Sequence, residues 1–318
     1  MDWEYELLFD AAPTALEMWS EQQTRARVGK MQYRTRTIQS GEIREVEVYP
    51  IWGREDQGRA RAARGSSTPE RIRRQNERNS LRRLIRLLNT NFTARDLHVT
   101  LTFAQAPDEA GERRALQSFL RQVKRVRIRR GLPELKYIYA LEEGESRRRH
   151  IHLVMSGGIS REEMESWWRH GYANCDRLQP NEEGLKALGK YLIKEQNGPD
   201  RVKHMRRWSG SRNLEQPKVH ISDTKLSTRR VEQLARDLPA IGAQILEKTN
   251  PGYKTNEVRV YFSDEITGVY IRSEMRSTRA RADVGGRGDA TNGTDGGRTR
   301  ARAIKEGGDR EARECRMT

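Results

Sequence analysis

Residues 97–103 alternate without a fault, with Leu97, Val99, Leu101 and Phe103 on one side and His98, Thr100 and Thr102 on the other. That period of two predicts a half-buried strand. The period then lengthens. Over Asp108–Arg130 the apolar positions Leu116, Phe119, Leu120, Val123 and Val126 recur at helical spacing. Residues 136–143 and 149–155 read as two strands around the polar turn 144–148, a hairpin. Ser160 followed three residues later by Glu163 is a capping box, opening a helix that carries Met164, Trp167 and Trp168. Tyr172–Leu178 predicts a fourth strand. Asn181, Glu182 and Glu183 open a last helix through Leu185, Leu188, Tyr191 and Leu192 to Glu195. The order β-α-β-β-α-β-α predicts an α+β fold, an antiparallel sheet with helices packed on it, over residues 96–197.

The flanks are patterned differently. Residues 1–58 form an N-terminal extension whose first 20 residues hold five acids and no base, with aromatic residues interspersed, as in a docking element or cap. Residues 59–95 read as a basic linker and helix: a Gly-Ser-Ser-Thr-Pro break at 65–69 precedes Ile72, Leu81, Leu84, Ile85 and Leu88 at helical spacing. Residues 198–275 form a basic extension with a helix over Thr228–Glu247 and a hairpin pairing Glu257–Phe262 with Val269–Arg272. From 276 to 318 eight Gly stand among eleven bases and seven acids with almost nothing to bury, which predicts a disordered tail.

Composition adds a partner class. The 318 residues carry 61 Lys and Arg against 45 Asp and Glu, a formal charge of +16, and Arg outnumbers Lys 49 to 12. The planar guanidinium grips phosphate through a two-pronged hydrogen bond, so a nucleic acid is the expected polyanion. No apolar run approaches the ~18 residues of a spanning helix, and no G-x-x-x-x-G-K-[ST] occurs. The reading is a cytoplasmic protein with no membrane contact and no nucleotide cofactor. Two cysteines, Cys175 and Cys315, far apart in sequence, make neither a disulfide framework nor a zinc site.

Two patterns carry chemistry. His150-Ile151-His152 on a strand puts both imidazoles on one face. If the hairpin sets Glu142 opposite His150, its carboxylate joins them, and two imidazoles with one carboxylate can hold Mg²⁺ or Mn²⁺ against a phosphate oxygen. A one-residue shift in the turn exchanges Glu142 for Glu143, and the sequence leaves both open. Tyr191-Leu192-Ile193-Lys194 is the second pattern. Three helical residues turn about 300°, so a phenol and an ammonium neighbour one another, a candidate nucleophile with a cation beside it.

The segments Val99-Thr100-Leu101-Thr102-Phe103, His150-Ile151-His152 and Tyr191-Leu192-Ile193-Lys194, in that order on β-α-β-β-α-β-α, resemble the HUH endonucleases that initiate rolling-circle replication, the Rep proteins of single-stranded DNA phages and related bacterial mobile elements. The resemblance implies a ferredoxin/RRM-like nuclease core and metal-dependent nicking and joining of single-stranded origin DNA. Tyr191 would be the nucleophile that becomes joined to the 5′ end and frees a 3′-OH primer, with Lys194 as phosphate or phenolate neighbour and His150, His152 and Glu142 as metal ligands. Leu188 stands one turn before Tyr191 and Glu195 one turn after, which indicates a single-tyrosine scheme. Candidate DNA contacts are Thr100, Thr102, Arg125, Arg206, Arg207, Trp208 and Arg212. A host helicase and polymerase are the implied partners in a bacterial cytoplasm. A transposase or relaxase of the same chemistry, and a non-catalytic Arg-rich single-strand binder, are the alternatives. His98 reads as a histidine hydrogen-bonded beside Thr100.

Overall fold

A computed structural model describes residues 32–51, 69–142, 149–194, 208–237, 240–262 and 268–279. The acidic start, the linker before Pro69, the turn with Glu143, the segment with Arg206 and Arg207, and residues 280–318 lie outside the described residues. Two five-stranded antiparallel sheets and six helices make up the described part, an α+β fold.

The sheet that carries the patterned middle of the chain runs β6-β3-β5-β4-β7. Its strands are β3 (Leu97–Phe103), β4 (Tyr137–Glu142), β5 (His150–Met155), β6 (Gly171–Arg177) and the two-residue β7 (Ser209–Gly210). With α2 (Glu109–Arg129) after β3 and α3 (Arg161–Ser166) after β5, this is the split β-α-β arrangement of ferredoxin-like folds, the later strands β5 and β6 flanking β3. Local chemistry sets the ends. Asp108 caps α2 by accepting from the Gly111 amide, and Ser160 caps α3 by accepting from the Glu163 amide at 3.2 Å. One face of the sheet buries Leu97, Val99, Leu101, Phe103, Ile151, Leu153 and Met155 against Leu116, Phe119, Leu120 and Val123 of α2 and Met164 of α3. Arg127, on the basic stretch of α2, does not join its positive face: it is 4% exposed, and its guanidinium donates to the carbonyls of Pro133, Ser156 and Gly157.

The opposite face is covered only over β4 and part of β5. There Ile138, Ala140 and Val154 meet Leu84, Leu87 and Leu88 of α1 (Pro69–Asn91) and Leu192 and Ile193 of α4 (Lys186–Lys194). The rest of that face stays polar.

The second sheet runs β8-β1-β2-β10-β9 and is assembled from both flanks: β1 (Gln32–Ser40), β2 (Ile43–Ile51), β8 (Lys218–Ser222), β9 (Tyr253–Phe262) and β10 (Val269–Ser277). Val269 pairs with Phe262 and Ile271 with Val260, the expected hairpin, and β10 continues through Arg276 and Ser277, inside the stretch expected to begin the tail. In place of one helix over 228–247 there are two, α5 (Thr228–Arg236) and α6 (Ala240–Thr249), on either side of Pro239, a residue that cannot donate in a helix interior. Val231, Leu234, Ala235 and Leu246 pack on Val46, Val48, Phe262 and Ile271.

Helix α1 is tied to this second sheet by charge. Arg86 donates to both oxygens of Glu45 on β2, at 2.7 and 2.8 Å, and Arg272 on β10 donates to Glu45 at 2.8 Å. Glu47 accepts from Arg36 at 3.1 Å. Burial alone would push the Glu45 carboxyl up, but the hydrogen bonds and charge of Arg86, with Arg272 and Arg82, outweigh it and bring the pKa down to about 2. In the unfolded chain an ordinary carboxyl titrates near ~4.3. The stabilisation is therefore complete above that value and is lost as the pH falls from ~4 toward 2. Glu45→Gln should cost about 3 kcal/mol at pH 7 by urea unfolding and much less at pH 2.5, because removing one partner leaves buried guanidinium charge uncompensated.

Candidate active site

The uncovered polar face is organised by strand register. In one row across the sheet Ala140, His152, Thr100 and Asn174 stand opposite one another, and in the next Glu142, His150, Thr102 and Tyr172. The hairpin therefore has the register that sets Glu142 opposite His150, and opposed positions share a face. The backbones of Glu142 and Lys194 are described and their side chains are not.

Both histidines are steadied from β3. Thr102 Oγ1 lies 2.9 Å from His150 Nδ1, and Thr100 Oγ1 lies 3.4 Å from His152 Nδ1. A hydroxyl on Nδ1 fixes the ring and leaves Nε2 as the nitrogen to meet a metal, the outer-partner arrangement usual for ligating histidines. The two threonines foreseen as DNA contacts thus face the histidines. His152 is 5% exposed and His150 half-buried.

His98 belongs to the same cluster. Its ring stacks on His152 with centroids 5.5 Å apart, and its Nε2 is buried without a hydrogen-bond partner among the described residues, where a hydrogen-bonded histidine was expected. Burial first, then the neighbouring His152, lower its pKa to about 4 against a smaller opposite pull from Asp176, so the ring is neutral at pH 7. Position 98 on the alternating strand was the available signal, but spacing could not show that α4 closes over it.

Tyr191 is brought onto this cluster. Its ring meets His152 edge-on at 5.2 Å between centroids and His98 at 6.1 Å, and 44% of the residue is exposed. The helix below it is held by α1 through contacts remote in sequence. Residues 181–184 make a tight turn rather than the first helical turn expected from the acids there, with Gly184 at φ 66°. The Leu185 amide donates to Asn89 Oδ1 at 2.7 Å, so a side chain of α1 caps α4, and a Cβ on Gly184 would come within 2.5 Å of that oxygen. One turn into the helix Gly189 packs so closely that a Cβ would meet Ile85 at 2.7 Å. Asn89→Ala should cost about 1–3 kcal/mol in thermal or urea unfolding, since it orphans a buried amide. It should also reduce any reaction at Tyr191 more than it reduces affinity for a strand.

The remaining candidates are dispersed. Arg125 is exposed on α2 beside Gln122. Trp208 is half-buried against the α1 cluster, with Nε1 donating to Ser80 Oγ at 3.1 Å and Arg83 above its ring; with exposed Arg212 it borders a separate groove. Among the described residues no group of three or more His, Cys, Asp or Glu is disposed to hold a metal ion, and the set falls short of three because the Glu142 carboxylate is not among the side chains described. The donors present suit a divalent ion: two imidazoles with Nδ1 occupied, and beside them a buried imidazole nitrogen lacking a partner. Nor is any helix among the described residues long and apolar enough to cross a membrane.

No curated protein and no solved structure matches the chain. Residues 96–196, which hold β3 through α4, match the family model of the replication-associated protein ORF2, and the match supports a role in initiating DNA replication.

Proposed function

We propose that the chain is a rolling-circle replication initiator of the HUH type, nicking and joining single-stranded origin DNA through a 5′-phosphotyrosine link at Tyr191. The observation that carries this reading is the packing of the Tyr191 ring against His152, 5.2 Å between centroids, within the segment matched to replication-associated proteins. A phenol on an exposed helix surface needs no histidine cluster beneath it; a phenol that attacks a phosphodiester does.

In this reading His150 and His152, with Glu142, would hold Mg²⁺ or Mn²⁺, which supplies Lewis-acid polarisation of the scissile phosphate. Thr100 and Thr102 keep the imidazoles oriented. The Tyr191 oxygen gives up its proton and bonds to phosphorus. The bond from phosphorus to the 3′ oxygen breaks, and that oxygen takes a proton to become the 3′-OH primer. Attack by a 3′-OH on the phosphotyrosine reverses the step and joins strands. Lys194, three residues on, is the cation assigned to the phenolate or phosphate. The chain's excess of Arg supplies backbone attraction, and unwinding and synthesis fall to a host helicase and polymerase in the cytoplasm of a bacterial host.

The test is direct. The protein is incubated with single-stranded oligonucleotides tiling the origin region of its replicon and with Mg²⁺ or Mn²⁺, then denatured. A labelled adduct that survives denaturation is expected. Strand binding without any adduct across the whole tiling set would leave only a binding protein.

A further inference from the structure

The row His150, Thr102, Tyr172 ends at the edge of the sheet, because β6 is an outermost strand. Tyr172 stands two strand spacings, about 10 Å, from His150 and is 69% exposed, the most exposed tyrosine side chain of the described part. An aromatic ring so open on a sheet face contributes little to a core. The next residues back along the chain turn the edge. Gly171 lies so close to β3 that a Cβ would come within 2.3 Å of the Thr102 carbonyl oxygen, so no side chain intervenes between the Tyr172 ring and what lies beyond.

Beyond the edge is a groove of about 880 Å³ between the end of β3, the start of β6 and α2. Arg114, Arg121, Arg169 and His170 line it with Ser118, and no acidic side chain does. The nearest counter-charge is loose: Asp108 lies 3.9 Å from Arg114, and both are largely exposed. Arg121 and Arg169 have no ion-pair partner among the described residues. Elsewhere in the described part exposed arginines are commonly paired, as Arg113 is with Glu109, Arg130 with Glu163 and Arg259 with Glu257. Unpaired guanidinium groups around a concave surface are a site for phosphates, and an exposed ring beside them is a platform for a base.

Resting on the proposed nicking reaction, we infer that the DNA strand held at the histidine face crosses the β6 edge, stacks a base on Tyr172 and lays its following phosphates along Arg114, Arg121 and Arg169. Strand and protein match in chemistry and order: phosphate at the histidines, base at the tyrosine, phosphates in the groove. A duplex, with its bases paired and stacked internally, offers no face to Tyr172, so the track selects single strands.

The test is binding of a fluorescent oligodeoxythymidylate in chelator, which separates this track from catalysis. Tyr172→Ala should weaken binding roughly ten-fold, and Tyr172→Phe, which keeps the ring, should restore it. The double variant Arg121→Gln/Arg169→Gln should also weaken binding and lower the slope of log affinity against log salt by about 1–1.5, two phosphates' worth. Arg259→Gln, on the other sheet, controls for loss of charge as such and should change the slope less. A photoreactive thymidine analogue placed next to the scissile step should crosslink to Tyr172. Wild-type affinity and slope in both Tyr172→Ala and the double variant, with adduct still forming in the unaltered protein, would overturn the track and leave the nicking reaction standing. Weakened binding in those variants, with no adduct from any oligonucleotide, would uphold the track and remove the nicking reaction.

Discussion

Tyr191→Phe is expected to eliminate the covalent protein–DNA adduct and to lower cleavage by roughly four orders of magnitude or more, since it deletes the atom that bonds to phosphorus. Little else should change. The ring contacts with His152 and His98 involve the aromatic face and edge, which Phe retains, and the residue is half in solvent, so melting temperature and strand affinity should stay near those of the parent. Affinity measured in chelator checks the second point, and mass spectrometry of a trapped adduct checks the first. A nucleotide found on any other side chain would move the nucleophile while keeping the reaction class.

His150→Ala and His152→Ala should each lower cleavage more than about 100-fold, with single-strand affinity in chelator largely kept for His150→Ala. His152 is nearly buried, so its variant should also lose stability, which makes His150 the cleaner test. Thr102→Val removes the hydroxyl 2.9 Å from His150 Nδ1 and should weaken Mn²⁺ binding by about 10-fold, measured by calorimetry without DNA. Glu142→Ala should behave like the histidine variants and Glu143→Ala much less so, given the pairing of Glu142 with His150. Cutting that persists in chelator would remove the metal from the scheme.

Much of this site was legible because its parts lie on regular elements whose period fixes direction. The strict alternation of Leu97–Phe103 sent His98, Thr100 and Thr102 to one face, and the hairpin brought Glu142 opposite His150. What stayed hidden depends on partners distant in sequence. Nothing near residue 185 announces that Asn89 caps its helix, and the acids at 182 and 183 suggested a local start instead. Strands β1 and β2 were unreadable for a related reason. Their inward positions include Thr35, Thr37, Glu45 and Glu47, which spoil the apolar alternation and are tolerable only because Arg86 and Arg272 arrive from elsewhere. Tyr172 read as one residue of a plain strand, and only the sheet order makes it an edge residue in line with His150.

The ion cluster of Glu45, Glu47, Arg86 and Arg272 also constrains how the chain can change over descent. Losing Arg86 alone strands two carboxylates in a dry place, and losing Glu45 alone strands two guanidinium groups, so each single step passes through a damaged intermediate. The viable route is a concerted swap to apolar side chains of similar volume. Descendants should therefore carry either all of these charges or none, with positions 45, 86 and 272 drifting as one unit although two strands and a helix separate them in the chain.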